Sequence, residues 1–310
     1  MELVITIPAY NEEKSIGNVI SEIPSKIKGV KKITVLVIDD GSTDQTVKVA
    51  REKKAVVISN KVNKGLAFSF KRGLETALSM GADIIVNTDA DFQYNQKQIP
   101  LLVEPILSGE VDLVLGSRFK GSIEEMSLQK RIGNIIASKT LSWICMRKIS
   151  DGQTGFRAFS REAAAKINLF SNYTYTQESI LQAVDKGISI KEIPVDFRKR
   201  HGESRLISNI WVYAFNSIKM IFYYFLYYKP LNLFTALSAI TLVIGSFFGV
   251  KVILHYLQTG LVSPYIPSAG IFAFSIILSA QLILFGLLSE SQKVNRHVNE
   301  ELLYLQKIKK

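Results

Sequence analysis

The chain has 310 residues, a hydrophobic fraction of 47% and a formal net charge of +11. That length is about two domains' worth, and the mean hydropathy of +0.18 excludes a disordered polyelectrolyte. A single cysteine excludes an internal disulfide framework. No nucleic-acid module accompanies the positive charge, so phosphate and anionic lipid are the expected partners and nucleic acid is not.

The chain opens on Leu3-Val4-Ile5-Thr6-Ile7-Pro8 with no preceding basic region or cleavage site, so no signal peptide is expected. Residues 3–8 read as a strand, and Glu12 to Ile23 has helical spacing at Ile16, Val19, Ile20 and Ile23. A second strand, Ile33 to Ile38, runs into Asp39-Asp40-Gly41-Ser42-Thr43-Asp44, where Ser42 or Thr43 is expected to cap a helix through Ala50. Residues 55–59 form a third strand. Asn63-Lys64-Gly65 then turns into a helix ending near Met80, stopped by Gly81. Ala82, Ile84, Ile85 and Val86 form a short buried strand, followed by a helix over 96–107 and a strand from Val111 to Gly116. Strands alternating with helices predict an α/β fold, a mainly parallel sheet flanked by helices on both faces.

The strand at 82–86 ends in Asn87-Thr88-Asp89-Ala90-Asp91-Phe92-Gln93. Residues two apart in an extended segment point to one side, so Asp89 and Asp91 can close on one hard cation, with Gln93 adding a neutral oxygen. Such oxygen ligands suit Mg2+ or Mn2+, which commonly also holds substrate phosphates. Taken alone, the Asp-x-Asp pair reads equally well as a solvated turn.

Four motifs in order change that balance: Ile7-Pro8-Ala9-Tyr10-Asn11-Glu12, Val37-Ile38-Asp39-Asp40-Gly41-Ser42-Thr43-Asp44, Asp89-Ala90-Asp91-Phe92-Gln93 and Gly116-Ser117-Arg118-Phe119. Together they resemble family 2 glycosyltransferases of the GT-A fold, in particular the dolichol-phosphate mannose synthase and polyprenyl-phosphate glycosyltransferase group. The resemblance covers residues 3–205. It implies that Pro8, Tyr10, Glu12, Ile38, Asp39, Asp40, Asp89, Ala90, Asp91, Gln93 and Arg118 bind a nucleotide-diphosphate sugar, with Asp89, Asp91 and Gln93 on the metal. It implies Asp91, Arg118 and Arg131 as catalytic groups.

From 120 to 205 the chain is more basic. Ser127 to Trp143 has helical spacing and carries Arg131, which the resemblance puts on a lipid phosphate acceptor. Asp151 to Phe159 resembles the family's acceptor-side strand, and Ile188 to Phe197 is another strand. Glu178 is open to three roles, a base, a positioning group or a helix-start charge, with the latter two favoured. The run from Arg198 to Arg205 resembles the family's acceptor segment, which assigns Arg200, Ser204 and Arg205 to the acceptor phosphate. A membrane-adjacent basic cluster is the plainer reading, and the two are compatible. The sequon Asn172-Tyr173-Thr174 is expected to be idle.

The acceptor implied is a polyprenyl phosphate, dolichyl or undecaprenyl, whose second pKa of about 6 by analogy with phosphorylated side chains leaves it deprotonated and independent of a general base. In-line attack would invert the sugar. The donor stays open between UDP-glucose or UDP-N-acetylglucosamine and GDP-mannose.

Beyond 205 the composition changes. Residues 206–228 are aromatic, with Lys219 in the middle, and suit an interfacial helix better than a span. Uncharged runs over 231–250 and 268–289 each approach the ~20 residues needed to cross a bilayer. The expected organisation is a GT-A domain over 1–205, an interfacial helix over 206–228, a hairpin over 229–289 and a basic tail helix over 290–310. Lys293, Arg296, Lys307, Lys309 and Lys310 follow the second run, which places domain and tail on the cytoplasmic side of the cell membrane as a multi-pass protein. The tail stripe Val294, Val298, Leu302 and Leu305 suits packing on the domain or on a second subunit of a homo-oligomer. The competing reading, a polysaccharide or glycolipid synthase of the same fold with another acceptor, would want more spans and a Gln-x-x-Arg-Trp motif. The sequence supplies neither.

Overall fold

The computed structural model describes residues 1–169, 175–199 and 210–309. It divides into two compact units, Met1–Ile218 with Glu300–Lys310, and Lys219–Asn299.

The first unit is built on a seven-stranded sheet in the order β3-β2-β1-β4-β6-β5-β7. Its strands are β1 (Glu2–Ala9), β2 (Lys32–Asp39), β3 (Val56–Ser59), β4 (Ile84–Asn87), β5 (Leu113–Ser117), β6 (Arg157–Ser160) and β7 (Ile190–Pro194). Central strands β1 and β4 read as near-continuous apolar runs because helices cover both faces. The flanking helices are α1 (Ile16–Glu22), α2 (Thr46–Glu52), α3 (Leu66–Ser79), α4 (Ile99–Leu107), α5 (Leu128–Cys145), α6 (Arg161–Lys166) and α7 (Tyr175–Asp185). Ile5, Ile7, Ile16, Val37, Val86 and Leu102 are fully enclosed between these layers, each contributing about 1.5–3 kcal/mol by leaving water.

One strand breaks the parallel pattern. β6 runs antiparallel between β4 and β5, with Arg157 opposite both Asn87 and Leu115. The expected strand over 151–159 is therefore short: Asp151 to Phe156 form a loop, and only Arg157 onward pairs. Because β6 is reversed, its start lies at the same sheet edge as the ends of β1, β2, β4 and β5.

The expected cap of α2 is corrected by the structure. Neither Ser42 nor Thr43 caps it. The Asp44 carboxylate accepts from Thr46 N at 3.0 Å, while Ser42 Oγ accepts from Asn11 N at 2.9 Å, tying the first two motif loops together. Gly41 makes this possible: its φ is +78°, and a Cβ there would meet the Val62 carbonyl carbon at 2.9 Å.

The second unit contains the end of α8 (Ile210–Tyr228), α9 (Pro230–Thr259) and most of α10 (Ile266–Lys309). Among the described residues, α9 and α10 are helices long and apolar enough to cross a membrane. The α9–α10 seam is made of small residues. Ser238 and Ser279 hydroxyls are 2.6 Å apart, and Gly245 and Gly249 admit Ser275 and Phe272 so closely that a Cβ would stand 2.3 and 2.7 Å from them. Outside the seam, large apolar side chains such as Phe247, Leu257, Phe274 and Leu288 face outward, 64–74% exposed. At the aromatic end, Arg296 lies over the rings of Tyr227 and Tyr228 at 5.9 and 5.1 Å.

α10 is one continuous helix of 44 residues, so the expected tail is its last turns. Within the first unit, the stripe members Leu302 and Leu305 are 55% and 46% exposed. The docked face is polar instead. Glu300 pairs with Lys186 at 2.9 Å, and Lys307 Nζ donates to Ala165 O, Ile167 O and Asn168 Oδ1 at 3.2, 3.4 and 2.7 Å. The end of α6 offers carbonyl oxygens there, which a cation satisfies and an aliphatic side chain cannot.

Candidate functional site

Parallel strands deliver their C-terminal loops to one edge, and that edge gathers the motif residues. β1 ends before Tyr10 and Glu12, β2 before Asp40, β4 before Asp89 and Asp91, and β5 before Arg118. Pro8 and Ala90 are buried supports of their loops. Ile38 is fully buried, facing Gly73 of α3, so a ligand could meet it through its main chain only.

Asp39 and Asp40 shape the loops. Asp39 Oδ1 accepts from Ser42 N at 3.0 Å. Asp40 accepts from Asn60 Nδ2 at 2.7 Å, Lys64 N at 2.9 Å and Gly65 N at 2.8 Å, so it closes the turn before α3. Glu12 N donates to Thr46 Oγ1 at 2.8 Å and its carboxylate accepts from Ser15 Oγ at 2.9 Å.

The acidic loop is held in a tight turn. Asp91 Oδ1 accepts from Gln93 N at 3.2 Å, and Phe92 takes a positive φ of 64°. Gln93 exchanges hydrogen bonds with Arg198: Arg198 N donates to Gln93 O at 2.8 Å and Gln93 Nε2 to Arg198 O at 3.3 Å. The Arg198 guanidinium forks onto Glu22 at 2.8 and 2.9 Å and lies 4.7 Å from the Phe92 ring. Burial resists the charge on Glu22, and Arg198 outweighs it, holding that carboxyl below its usual range.

Two buried guanidiniums sit behind this loop. Arg118 is clamped by Asp151, with Nε to Oδ2 at 2.7 Å and Nη2 to Oδ1 at 2.8 Å. Burial opposes its charge, but the Asp151 carboxylate outweighs that and raises its pKa further. Arg157 is completely buried and donates to Thr154 O, Thr176 O, Ser179 Oγ and Gly152 O at 2.7–3.2 Å. Burial pulls its pKa down to about 10, still charged at neutrality, and both arginines feel the charges of Asp89 and Asp151. Arg157 thus joins the loop before β6 to the first turn of α7, which carries Glu178. The Glu178 carboxylate accepts from Gln182 Nε2 at 3.3 Å.

The residues present fit a divalent cation as hard oxygen donors, and Asp89 rests in a cradle: a Cβ on Gly155 would stand 2.7 and 3.0 Å from its carboxylate oxygens. No cluster of three or more His, Cys, Asp or Glu surrounds it among the described residues. A cation there would need the oxygens of a bound diphosphate and water to complete its shell.

Arg131 is exposed in the first turn of α5. Arg200, Ser204, Arg205 and the sequon Asn172-Tyr173-Thr174 lie outside the described residues. Sequence reasoning overlooked Tyr94 and, although it quoted Asn87 and singled out the stretch from Asp151 to Phe159, gave Asn87, Asp151, Gly155 and Arg157 no individual role. The signal available was modest: an Asp-Gly turn at 151–152 and polar residues inside otherwise apolar stretches.

A mixed sheet whose C-terminal edge carries a paired-carboxylate loop backed by buried arginines has the architecture of a GT-A transferase. The sequence profile described as glycosyl transferase family 2 matches residues 4–167, and the chain belongs to that family and is a glycosyltransferase. Its relatives include a UDP-N-acetylglucosamine–dolichyl-phosphate N-acetylglucosaminyltransferase of Methanococcus voltae, 30% identical over 215 residues that cover 62% of this chain and 84% of that one. A dolichyl-phosphate hexose transferase of Haloferax volcanii is 30% identical over 206 residues, covering 66% and 86%. Among solved structures, Mycobacterium tuberculosis glucosyl-3-phosphoglycerate synthase, in complex with Mn2+, UDP and glucosyl-3-phosphoglycerate, shares the fold. It aligns with a TM-score of 0.56 at 24% identity, covering 72% of this chain and 79% of that chain.

Proposed function

We propose that this glycosyltransferase moves a hexose from a nucleotide-diphosphate sugar to a polyprenyl phosphate at the cytoplasmic face of a cell membrane. The observation that carries the lipid acceptor is the outer face of α5. Leu128, Ile132, Ile136 and Trp143 are 36–72% exposed at helical spacing, with Lys139 among them, Arg131 beside them, and Met146, Arg147 and Lys148 exposed just past the helix end. A mixed apolar and cationic face suits burial at the headgroup–acyl boundary. The opposite face of α5 packs on the site: Ser138 Oγ accepts from Gly152 N at 3.0 Å, in the loop of Asp151. Acceptor surface and donor loop therefore share one helix. The dolichyl-phosphate transferases among the relatives support the same acceptor. The outward apolar faces of α9 and α10 support a membrane hairpin, and the cations after the second span support a cytoplasmic domain.

Asp89 and Asp91, with Gln93, would hold Mg2+ or Mn2+, which when bound neutralises charge on the departing nucleotide diphosphate. Tyr10, Glu12, Asp39 and Asp40 lie at the donor edge as the nucleotide-side group, and Arg118 meets the diphosphate with the part of its guanidinium that Asp151 leaves over. Arg131, with Arg200, Ser204 and Arg205, draws the lipid phosphate in. That phosphate is already anionic, so Glu178 serves as an orienting charge and no base is required. In-line attack inverts the anomeric centre.

The test is transfer from labelled UDP- and GDP-sugars to a short polyprenyl phosphate by the purified full chain, with Mn2+ or with EDTA. One organic-extractable product that disappears with EDTA is expected. Absence of lipid product from every donor, with nucleotide binding intact, would overturn the acceptor.

A further inference from the structure

The loop bearing Asp89 and Asp91 is closed by a glycine from elsewhere in the chain. Gly155 N donates to Tyr94 Oη at 3.0 Å, and Gly155 O accepts from Asn87 Nδ2 at 2.8 Å. Asn87 precedes the acidic pair and Tyr94 follows it, so one glycine, through the two peptide groups that flank its Cα, spans both ends of the loop. Neither partner is adjustable. Asn87 is fully buried, and its Oδ1 accepts from Thr6 Oγ1 at 3.2 Å. Tyr94 is 2% exposed, stacked on Phe156 at 5.1 Å and edge-on to Phe197 at 5.4 Å, with its hydroxyl 3.3 Å from Thr154 Oγ1.

The face of Gly155 that lacks a side chain is turned to Asp89. The atoms closest to a Cβ built there are both Asp89 carboxylate oxygens and the carboxylate carbon, at 2.7–3.1 Å. A methyl group would be accommodated by swinging Asp89, because that short side chain is the nearest movable group. The bare Cα is thus one wall of the space in which the carboxylate is aimed.

We propose that Gly155, fixed by Tyr94 and Asn87, is the positioning element that aims the Asp89 carboxylate at the divalent cation of the donor complex. This rests on the cation reading given above and adds to it the residues that set the ligand's geometry. Outer partners of a metal ligand govern affinity because they select its orientation before the metal arrives. Tyr94 acts without touching the cation, through the Gly155 peptide. Two residues on, Arg157 binds Thr176 O and Ser179 Oγ, so the same loop also fixes the start of α7.

The experiment is Mn2+ binding in the presence of UDP, followed by the electron paramagnetic resonance signal of free Mn2+. It uses the detergent-solubilised full chain as wild type, Gly155→Ala, Tyr94→Phe and a control, Leu102→Ala, in the core under α4. Thermal melting is recorded alongside. Gly155→Ala and Tyr94→Phe are expected to weaken Mn2+ binding by about tenfold or more, while Leu102→Ala lowers the melting midpoint with unchanged Mn2+ affinity. Should Gly155→Ala not fold, Tyr94→Phe, which keeps the ring, carries the comparison. Wild-type affinity in the variants, or an equal loss in Leu102→Ala, would overturn the positioning role. A wild-type chain that binds UDP and takes up no Mn2+ would instead overturn the cation reading beneath it.

Discussion

The guanidinium of Arg118 and the carboxylate of Asp151, 33 residues apart, form a buried two-pronged ion pair, and Asp151 also accepts from the Arg118 main-chain N–H at 3.1 Å. With side chains 9% and 0% exposed, neither charge has water to fall back on. Removing one partner strands the other, so Asp151→Ala is expected to cost about 3–5 kcal/mol of stability. The Arg118→Ala/Asp151→Ala pair should cost less than the sum of the single changes. Denaturant melts of the four proteins test this, and strict additivity would show that the pair is not coupled.

Asp89 and Asp91 are only partly buried, so the proposed cation role can be tested at them without emptying the core. Asp89→Asn and Asp91→Asn should each abolish EDTA-sensitive transfer, by about a hundredfold or more as expected for loss of charge-stabilising groups. Circular dichroism should be unchanged. An active variant would remove that residue from the metal set.

Lys307 makes the docking of the last turns of α10 depend on pH. Burial does most of the work of pulling its pKa from 10.5 down to about 8, against a smaller pull from Glu75, and like charge from Lys186 and Lys71 adds to it. The undocked lysine holds its proton more tightly, so docking strengthens as pH rises from about 8 toward 10.5 and is weakest below 8. Protection of the Ile167 and Asn168 amides, exchange rate relative to the intrinsic rate, should rise over that window, and Lys307→Met should remove the trend. Exchange that quickens by the full intrinsic pH effect would contradict it.

Cys145 is a packing residue. It is 8% exposed near the end of α5, and burial pushes its thiol up to about 11. Folded protein at neutral pH should resist iodoacetamide and take up one equivalent only in denaturant. Rapid labelling of the native chain would place the thiol at the surface.

The sequence by itself determined the alternation of strands and helices, the α/β class, the position of the acidic loop at a strand end and the two long apolar segments. Those features are local: periodicity of 2 or 3.6, turn residues, and uncharged runs are written in neighbouring positions. Family membership was also legible, because four short motifs in fixed order survive without knowledge of their contacts. Tertiary structure alone decided the rest. The reversal of β6 is a pairing choice over some 70 residues to β4 and some 40 to β5, and it delivers Asp151, Gly155 and Arg157 to the donor edge. The tail illustrates the same limit. Its apolar stripe was read as a face for the domain or for a second subunit, and on the domain it is Glu300 and Lys307 that dock, because the partner surface is a set of carbonyl oxygens and a lysine that no periodicity in the helix records. Likewise the first amide of α2 found Asp44, one residue ahead of the N-cap Gln45, while Ser42 was drawn across to Asn11. Polar groups find partners across the fold according to burial and reach, and those are properties of the assembled chain.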